Sequence, residues 1–233
     1  MAKKWHLALM LVLTFSTGIV DAVGYLGLDR VFTANMTGNV VILGMALTGA
    51  ADLPIIGPIV ALAGFLLGAA VVGRVLRRAG AGWTTASTVV FGLVGVGLAV
   101  LGVLVATLDA SIPVETGTTA PPAAMAVTGA LGIVMGGQGA AARRLAVKDV
   151  TTVVVTSTLT GLAADSRLAG GTGEGWRRRA GAVVLILAGA AVGAALLQWH
   201  IGAGLALAAV IVIVAAVLGH HNAREQHPTV APG

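Results

Sequence analysis

Long runs of apolar residues dominate the pattern along the chain. Three of them, 7–20, 89–108 and 180–197, contain no ionisable side chain and approach or reach the ~20 residues that cross a hydrocarbon core. Membrane barrels instead show alternating segments of about ten residues, so the pattern predicts spanning helices. The six predicted spans are 5–28, 54–76, 83–108, 121–142, 179–198 and 201–219, with a tight turn near Trp199 and His200 between the last two. Two shorter, more polar segments remain, 31–51 and 150–164.

The placement of Lys and Arg decides how these two short segments lie, because basic residues concentrate in cytoplasmic loops. If all eight segments crossed with the N-terminus inside, seven of the fourteen basic residues would be cytoplasmic. If the two short segments enter and leave on the same side, thirteen of fourteen are cytoplasmic and only Arg30 is external. We therefore predict six full spans, two short re-entrant or broken segments and two cytoplasmic termini.

An internal repeat accompanies this arrangement. The first half carries polar and small-residue motifs at 18–22, 31–38 and 63–69, and similar motifs recur in the second half at 136–140, 154–161 and 188–194. With three crossings in each half, the second copy is inverted. The chain is thus predicted to be one all-α membrane domain, with one repeat over 5–108, another over 121–219, and a disordered tail over 220–233. Inverted repeats with paired broken segments are a recurring construction of transporters and channels.

Composition narrows the chemistry further. The chain is 57% hydrophobic and 10% charged, with a mean hydropathy of +0.97, against about 25% charged residues in soluble proteins. It has no cysteine, which excludes disulfides, thiolate metal sites and thiol catalysis. The net charge of +5 comes from basic groups that flank the spans, so we expect the lipid bilayer as partner and no nucleic acid. We also expect no metal and no cofactor.

The 34 glycines allow helices to approach closely. Gly64-x-x-x-Gly68 and Gly189-x-x-x-Gly193 are typical of small-residue packing faces. The same faces could serve a homodimer.

Asp21 is the first candidate site residue. It lies deep in the first predicted span, where a carboxylate costs ~2.5–3.5 kcal/mol on insertion scales and by default marks a functional site. The alternative is a buried aspartate that bonds a neighbouring helix or caps the broken segment.

The polar residues from Thr33 to Asn39 are of the types that cap helices. The sequence predicts a half-helix over 40–51, whose partly positive N-terminus would point at the membrane centre and could hold an anionic or carbonyl-bearing ligand. Ordinary hydrogen bonding between packed helices is the alternative. A matching cluster, Thr156, Ser157, Thr158 and Thr160, stands in the second half, without an equal half-helix after Gly161. Gln138 is a further polar residue within a span. The predicted substrate-binding set is Asp21, Asn35, Thr37, Asn39, Gln138, Thr158 and Thr160.

The strings Thr17-Gly-Ile-Val-Asp21-Ala and Val31-Phe-Thr-Ala-Asn-Met-Thr-Gly-Asn39 resemble the signature of the YoaK-like family of bacterial membrane proteins, whose function is unknown. The second half, with Gly136-Gly-Gln-Gly-Ala140 and Thr158-Leu-Thr-Gly161, is similar to the second motif of that family. Gly139 stands where the family usually has asparagine. The resemblance implies a polytopic protein of the bacterial inner membrane and brings no substrate.

The function that we expect is a transporter or channel for an unidentified small solute or ion, with a midplane site between the two short segments. A membrane scaffold or sensor that transports nothing is the main alternative. An intramembrane lipid-modifying enzyme is disfavoured, because the spans contain no buried histidine, cysteine or carboxylate pair for acid–base or nucleophilic work. We therefore predict no catalytic residue.

Overall fold

The computed structural model describes residues 2–49, 53–80, 82–108, 121–145 and 155–226. Within them the chain is all-helical, with six long helices, two short ones and a 3-10 turn at Arg167–Ala169. The six long helices are apolar and long enough to cross a membrane. The helices are α1 (Ala2–Gly27), α2 (Met36–Ala46), α3 (Ile56–Leu76), α4 (Thr85–Leu108), α5 (Pro122–Leu145), α6 (Val155–Ala164), α7 (Trp176–Leu197) and α8 (Ile201–Gln226).

All six predicted spans are confirmed as helices, and the ends differ by a few residues. The largest difference is at α8, which continues to Gln226, so the predicted disordered tail starts too early. Trp83 packs over Gly219, and His220 Nδ1 lies 3.4 Å from Thr88 Oγ1. These contacts hold the last turns of α8 against the start of α4. The remaining tail residues, 227–233, lie outside the described residues, as do 150–154 of the second short segment.

Two pairs of long helices pack in parallel through glycine. In α3, Gly64 and Gly68 lie against successive turns of α5 near Gly129 and Ile133. A methyl group on Gly68 would collide with the Ile133 carbonyl. The α1–α7 pair repeats this geometry, and both predicted glycine motifs serve these contacts inside the chain. Close backbone approach is what small residues provide when lipid offers no hydrophobic driving force between helices.

The other contacts fix the directions of the remaining helices. The end of α1 at Gly27 lies beside the start of α8 at Ile201, so these two helices are antiparallel. At the other end of the bundle, His6 stacks with Trp83 at a ring-centre distance of 6.5 Å. The described chain therefore begins and ends at one end of the bundle. We call this the basic end, because it also holds the arginines that close α3 and α5.

Each short helix belongs to a part of the chain that enters and leaves the bundle at the same end. Gly57, in the first turn of α3, packs against Asp29, just after α1. The chain between them leaves and returns at the end opposite the basic end. In the second half, Arg144 of α5 donates to the Ala79 carbonyl at 2.8 Å, which places the end of α5 at the basic end, where α7 begins.

Candidate functional site

The non-helical segment 28–35, which we call the extended segment, runs back along the last turns of α1. A side chain on Gly24 would come within 2.7 Å of the Val31 carbonyl oxygen and within 2.9 Å of Thr33 Cγ2. Glycine at this position therefore allows the extended segment to lie directly on the helix. The segment brings the start of α2 alongside Asp21 of α1.

The carboxylate of Asp21 anchors this segment. Its Oδ1 accepts hydrogen bonds from the backbone N–H groups of Thr33, at 2.9 Å, and Ala34, at 2.7 Å. The Thr33 hydroxyl lies 3.4 Å from the same oxygen. Asp21 is 8% exposed and Thr33 is fully buried. Charge-assisted bonds to backbone donors offset part of the cost of placing a carboxylate at this depth.

The side chain of Asn39 fixes the other side of the segment. Its Oδ1 accepts from the Phe32 N–H at 2.9 Å, and its Nδ2 donates to the Phe32 carbonyl at 2.6 Å. Asn39 is fully buried. One amide thus satisfies both backbone groups of a residue that has no helical partner, which is what buried irregular backbone requires.

Asn35 is the N-cap of α2, as the sequence pattern predicted. Its Oδ1 accepts from the Gly38 N–H at 3.4 Å. The half-helix begins at Met36 and ends at Ala46, which is earlier than the predicted range of 40–51. The reason is that Asn39 lies within the first turns and turns its amide back to Phe32 instead of capping the helix.

The second short helix, α6, is held at its C-terminal end by Arg179 of α7. The guanidinium donates to the Gly161 carbonyl at 2.6 Å and forms an ion pair with Asp165 at 2.7 Å. A cation at a helix C-terminus interacts favourably with the helix dipole. Gly161 lies inside α6, three residues before its end. The short helix of the second half therefore lies within the predicted segment 150–164, and, as expected, no equal half-helix follows this glycine.

A cavity of about 940 Å³ joins the two short helices. Its wall is formed by α1, the extended segment, and α7, together with the N-terminal residues of α2 and of α6. The polar residues of the wall are Thr17, Asp21, Tyr25, Asn35, Thr37 and Thr156, and the rest of it is apolar or glycine. Because α2 comes from one end of the bundle and α6 from the other, their N-termini approach the same space from opposite directions.

The predicted site residues fall into two groups. Asp21, Asn35 and Thr37 line the cavity. Asn39, Gln138, Thr158 and Thr160 are not part of its lining, and Thr160 donates instead to the Thr156 carbonyl of its own helix at 2.9 Å.

The side chain of Gln138 extends from α5 toward α1 and contacts the cavity only through Thr17. Its Nε2 donates to the Thr17 hydroxyl at 3.1 Å, and that hydroxyl donates to the Leu13 carbonyl at 2.9 Å. Gln138 is 1% exposed, and its Oε1 has no hydrogen-bond partner among the described residues. Gln138 therefore supports Thr17, which does line the cavity.

Two aromatic wall residues were missed by the sequence analysis. Tyr25 of α1 and Phe32 of the extended segment stack at a ring-centre distance of 4.8 Å. Tyr25 is the only tyrosine of the chain, but its pairing depends on the fold of the segment that follows it. Thr156, which stood in the polar cluster of the second half but not in the predicted binding set, is the described polar residue that α6 contributes to the wall.

Asp29 is a titratable group of this region at the end of the bundle opposite the basic end. It is half-buried against the start of α3. Burial raises the pKa of its carboxyl above the ordinary value, and the neighbouring Arg30 opposes that rise.

Comparison with known sequences identifies relatives of the chain. The family model described as "Protein of unknown function (DUF1275)" matches residues 9–218. The chain belongs to this family. It is also 32% identical over 165 residues to the "UPF0700 transmembrane protein YoaK" of Bacillus subtilis (strain 168), an alignment that covers 70% of this chain and 68% of that protein. No solved structure shows significant similarity to the chain.

The family and the six apolar helices establish a multi-pass membrane protein. The resemblance inferred from the Asp21 and Thr33–Asn39 motifs is thereby confirmed. These motifs hold the extended segment and the start of α2, and the family description attaches no substrate to them.

Proposed function

We propose that the protein is a transporter or channel for a small solute. The observation that carries this proposal is the cavity at which the first turns of α2 and α6 meet. Discontinuous helices whose N-termini face a common space near the membrane centre form the binding sites of many secondary transporters.

The packing of the long helices supports an inverted repeat, which is part of the proposal. α1 packs on α7 and α8, while α5 packs on α3 and α4. Each short helix packs on the long helix that follows it, α2 on α3 and α6 on α7. If α1 to α4 are matched in order with α5 to α8, each of these contacts in one half has a counterpart in the other half, as a repeat requires.

We place the protein in a bacterial cytoplasmic membrane with the basic end in the cytoplasm. Arg and Lys concentrate beside the helix ends that meet there, as they do on the cytoplasmic side of membrane proteins. With that orientation α2 enters from the outside and α6 from the cytoplasm. Arg30, at the opposite end, is the one external basic residue.

Flux across proteoliposomes tests the proposal. Vesicles loaded with a mixture of small metabolites would contain wild type, Thr37→Trp or Thr48→Trp, and released solutes would be identified by mass spectrometry. Thr37 lines the cavity, whereas Thr48 is exposed just beyond the other end of α2. We expect release of specific solutes by wild type and Thr48→Trp, and loss of that release in Thr37→Trp.

Equal release from all three proteins and from empty vesicles would contradict a transport function. The scaffold or sensor alternative would then be favoured. We propose passage of a solute and not catalysis, because the described residues of the cavity wall include one carboxylate and neither histidine nor lysine nor arginine.

A further inference from the structure

The wall of the cavity combines polar and apolar residues. The polar residues are Thr17, Asp21 and Tyr25 of α1, Asn35 and Thr37 at the start of α2, and Thr156 at the start of α6. The remaining wall is built mainly from aliphatic side chains of α7 and α2, such as Val183, Ile186 and Ile42. A small hydrated solute gains nothing from such an apolar surface, whereas a molecule with a polar head and an apolar body complements both kinds of residue.

Part of the cavity wall is exposed at the depth of the membrane interior. Seven of its wall residues are exposed: the apolar Leu26 at 60%, Val41 at 53% and Leu187 at 69%, and the polar Tyr25, Asn35, Thr37 and Thr156. Leu187 stands halfway along the 22 residues of α7. An exposed leucine in the middle of a span faces lipid, so a ligand can enter the cavity from the bilayer beside Leu187.

The charges around the polar wall residues nearly cancel. Each half-helix N-terminus carries about +0.5 of an elementary charge, so α2 and α6 together balance the single negative charge of Asp21. The described wall contains no basic side chain. An ion would bring an uncompensated charge into an apolar space, which is costly.

The unused polar groups of the wall are hydrogen-bonding groups without charge. The Asn35 Oδ1 is engaged with Gly38, which leaves its Nδ2 available. The hydroxyls of Thr37 and Thr156 have no partner within the described part of the chain. These groups suit an amide, ester or alcohol.

From this geometry we propose that the cavity binds an uncharged amphiphile, with a hydrogen-bonding head beside Asn35, Thr37 and Thr156 and an apolar chain along α7. The binding of the amphiphile does not depend on the proposed function. Only its identification as the transported solute rests on that function. At about 940 Å³ the cavity has the size of sites for small organic molecules.

Protection of single cysteines tests the proposal, since the native chain contains none. Thr37→Cys, Thr156→Cys and the control Thr48→Cys would be labelled with maleimide in the presence of four probes. Decanamide is the uncharged amphiphile, decanoate and decyltrimethylammonium are its charged counterparts, and acetamide is the head without the chain. We expect decanamide alone to slow labelling of the two cavity cysteines about fivefold, the slowing that corresponds to four-fifths occupancy.

Direct binding of radiolabelled decanamide gives a readout that needs no labelling of the wall. Val183 lines the cavity, while its neighbour Val184 is 60% exposed and does not. We expect Val183→Trp to abolish saturable binding and Val184→Trp to retain it.

Several results would overturn the proposal. They are equal protection of Thr48→Cys, equal protection by acetamide or by a charged probe, and binding that is identical in Val183→Trp and Val184→Trp. Decanamide binding without any solute flux would contradict the transport function and support the binding site. Flux of other solutes without decanamide binding would contradict the uncharged amphiphile as ligand and support the transport function.

Discussion

The contact between Asp21 and the extended segment gives the sharpest prediction about stability. Replacing Asp21 by alanine leaves the N–H groups of Thr33 and Ala34, bonded at 2.9 and 2.7 Å, without an acceptor inside the bundle. Each unsatisfied buried donor costs about 1–3 kcal/mol, so we expect Asp21→Ala to lower the free energy of unfolding by about 2–6 kcal/mol.

Asp21→Asn separates the role of the acceptor from that of the charge. The asparagine carbonyl can still accept from both backbone groups, but bonds to a charged acceptor are roughly twice as strong as neutral ones. We therefore expect Asp21→Asn to lose about half as much stability as Asp21→Ala. Asn35→Ala, which removes only the cap of α2, should cost about 0.5–2 kcal/mol.

Unfolding in mixed micelles of increasing dodecyl sulfate content would measure these differences. Amide hydrogen exchange at Thr33 and Ala34 gives the local readout, and both amides should lose protection in Asp21→Ala. If Asp21→Ala matched wild type in stability and in exchange at these two amides, the anchoring role of the carboxylate would be refuted.

Three further predictions concern other contacts. Asn39→Leu should lower the free energy of unfolding by about 2–4 kcal/mol in the same assay, because both backbone groups of Phe32 lose their partner. Gly68→Ala should destabilise the protein by about 1–3 kcal/mol through collision with a carbonyl of α5. The control Gly73→Ala, which faces open space, should be neutral or slightly stabilising; equal effects would contradict the role of the α3–α5 contact. The raised pKa of Asp29 means that the folded protein holds this proton more tightly than the unfolded chain. Stability should therefore fall as pH rises from about 4, the ordinary aspartate pKa, through the raised value. Asp29→Asn should abolish this pH dependence of the free energy of unfolding. An unchanged pH profile in the variant would contradict the role of Asp29.

The spans were predictable because hydropathy alone determines them and each is longer than a bilayer requires. The re-entrant path of α2 was predictable from the distribution of Lys and Arg among the loops, because this distribution depends on the loops as a whole and not on single contacts. The cap at Asn35 was predictable because capping is local and depends on residue type.

The detailed geometry of the site was not predictable, because it depends on contacts between distant turns of the fold. The pattern could not show that Asn39 pairs with the backbone of Phe32, or that Phe32 then stacks on Tyr25. Gln138 illustrates the opposite case: a polar residue within a span suggested a binding role, and the structure places it behind Thr17. Thr156 enters the wall only because α6 packs on α7.

The most direct test of the central claim is cross-linking between the first turns of α2 and α6. A Thr37→Cys/Thr156→Cys double variant would be treated in membranes with a short bifunctional thiol reagent, with Thr48→Cys/Thr156→Cys as control. The account predicts an intramolecular cross-link in the first pair and none in the second. Absence of the link in the first pair, or equal linking in both, would contradict a cavity shared by the two half-helices.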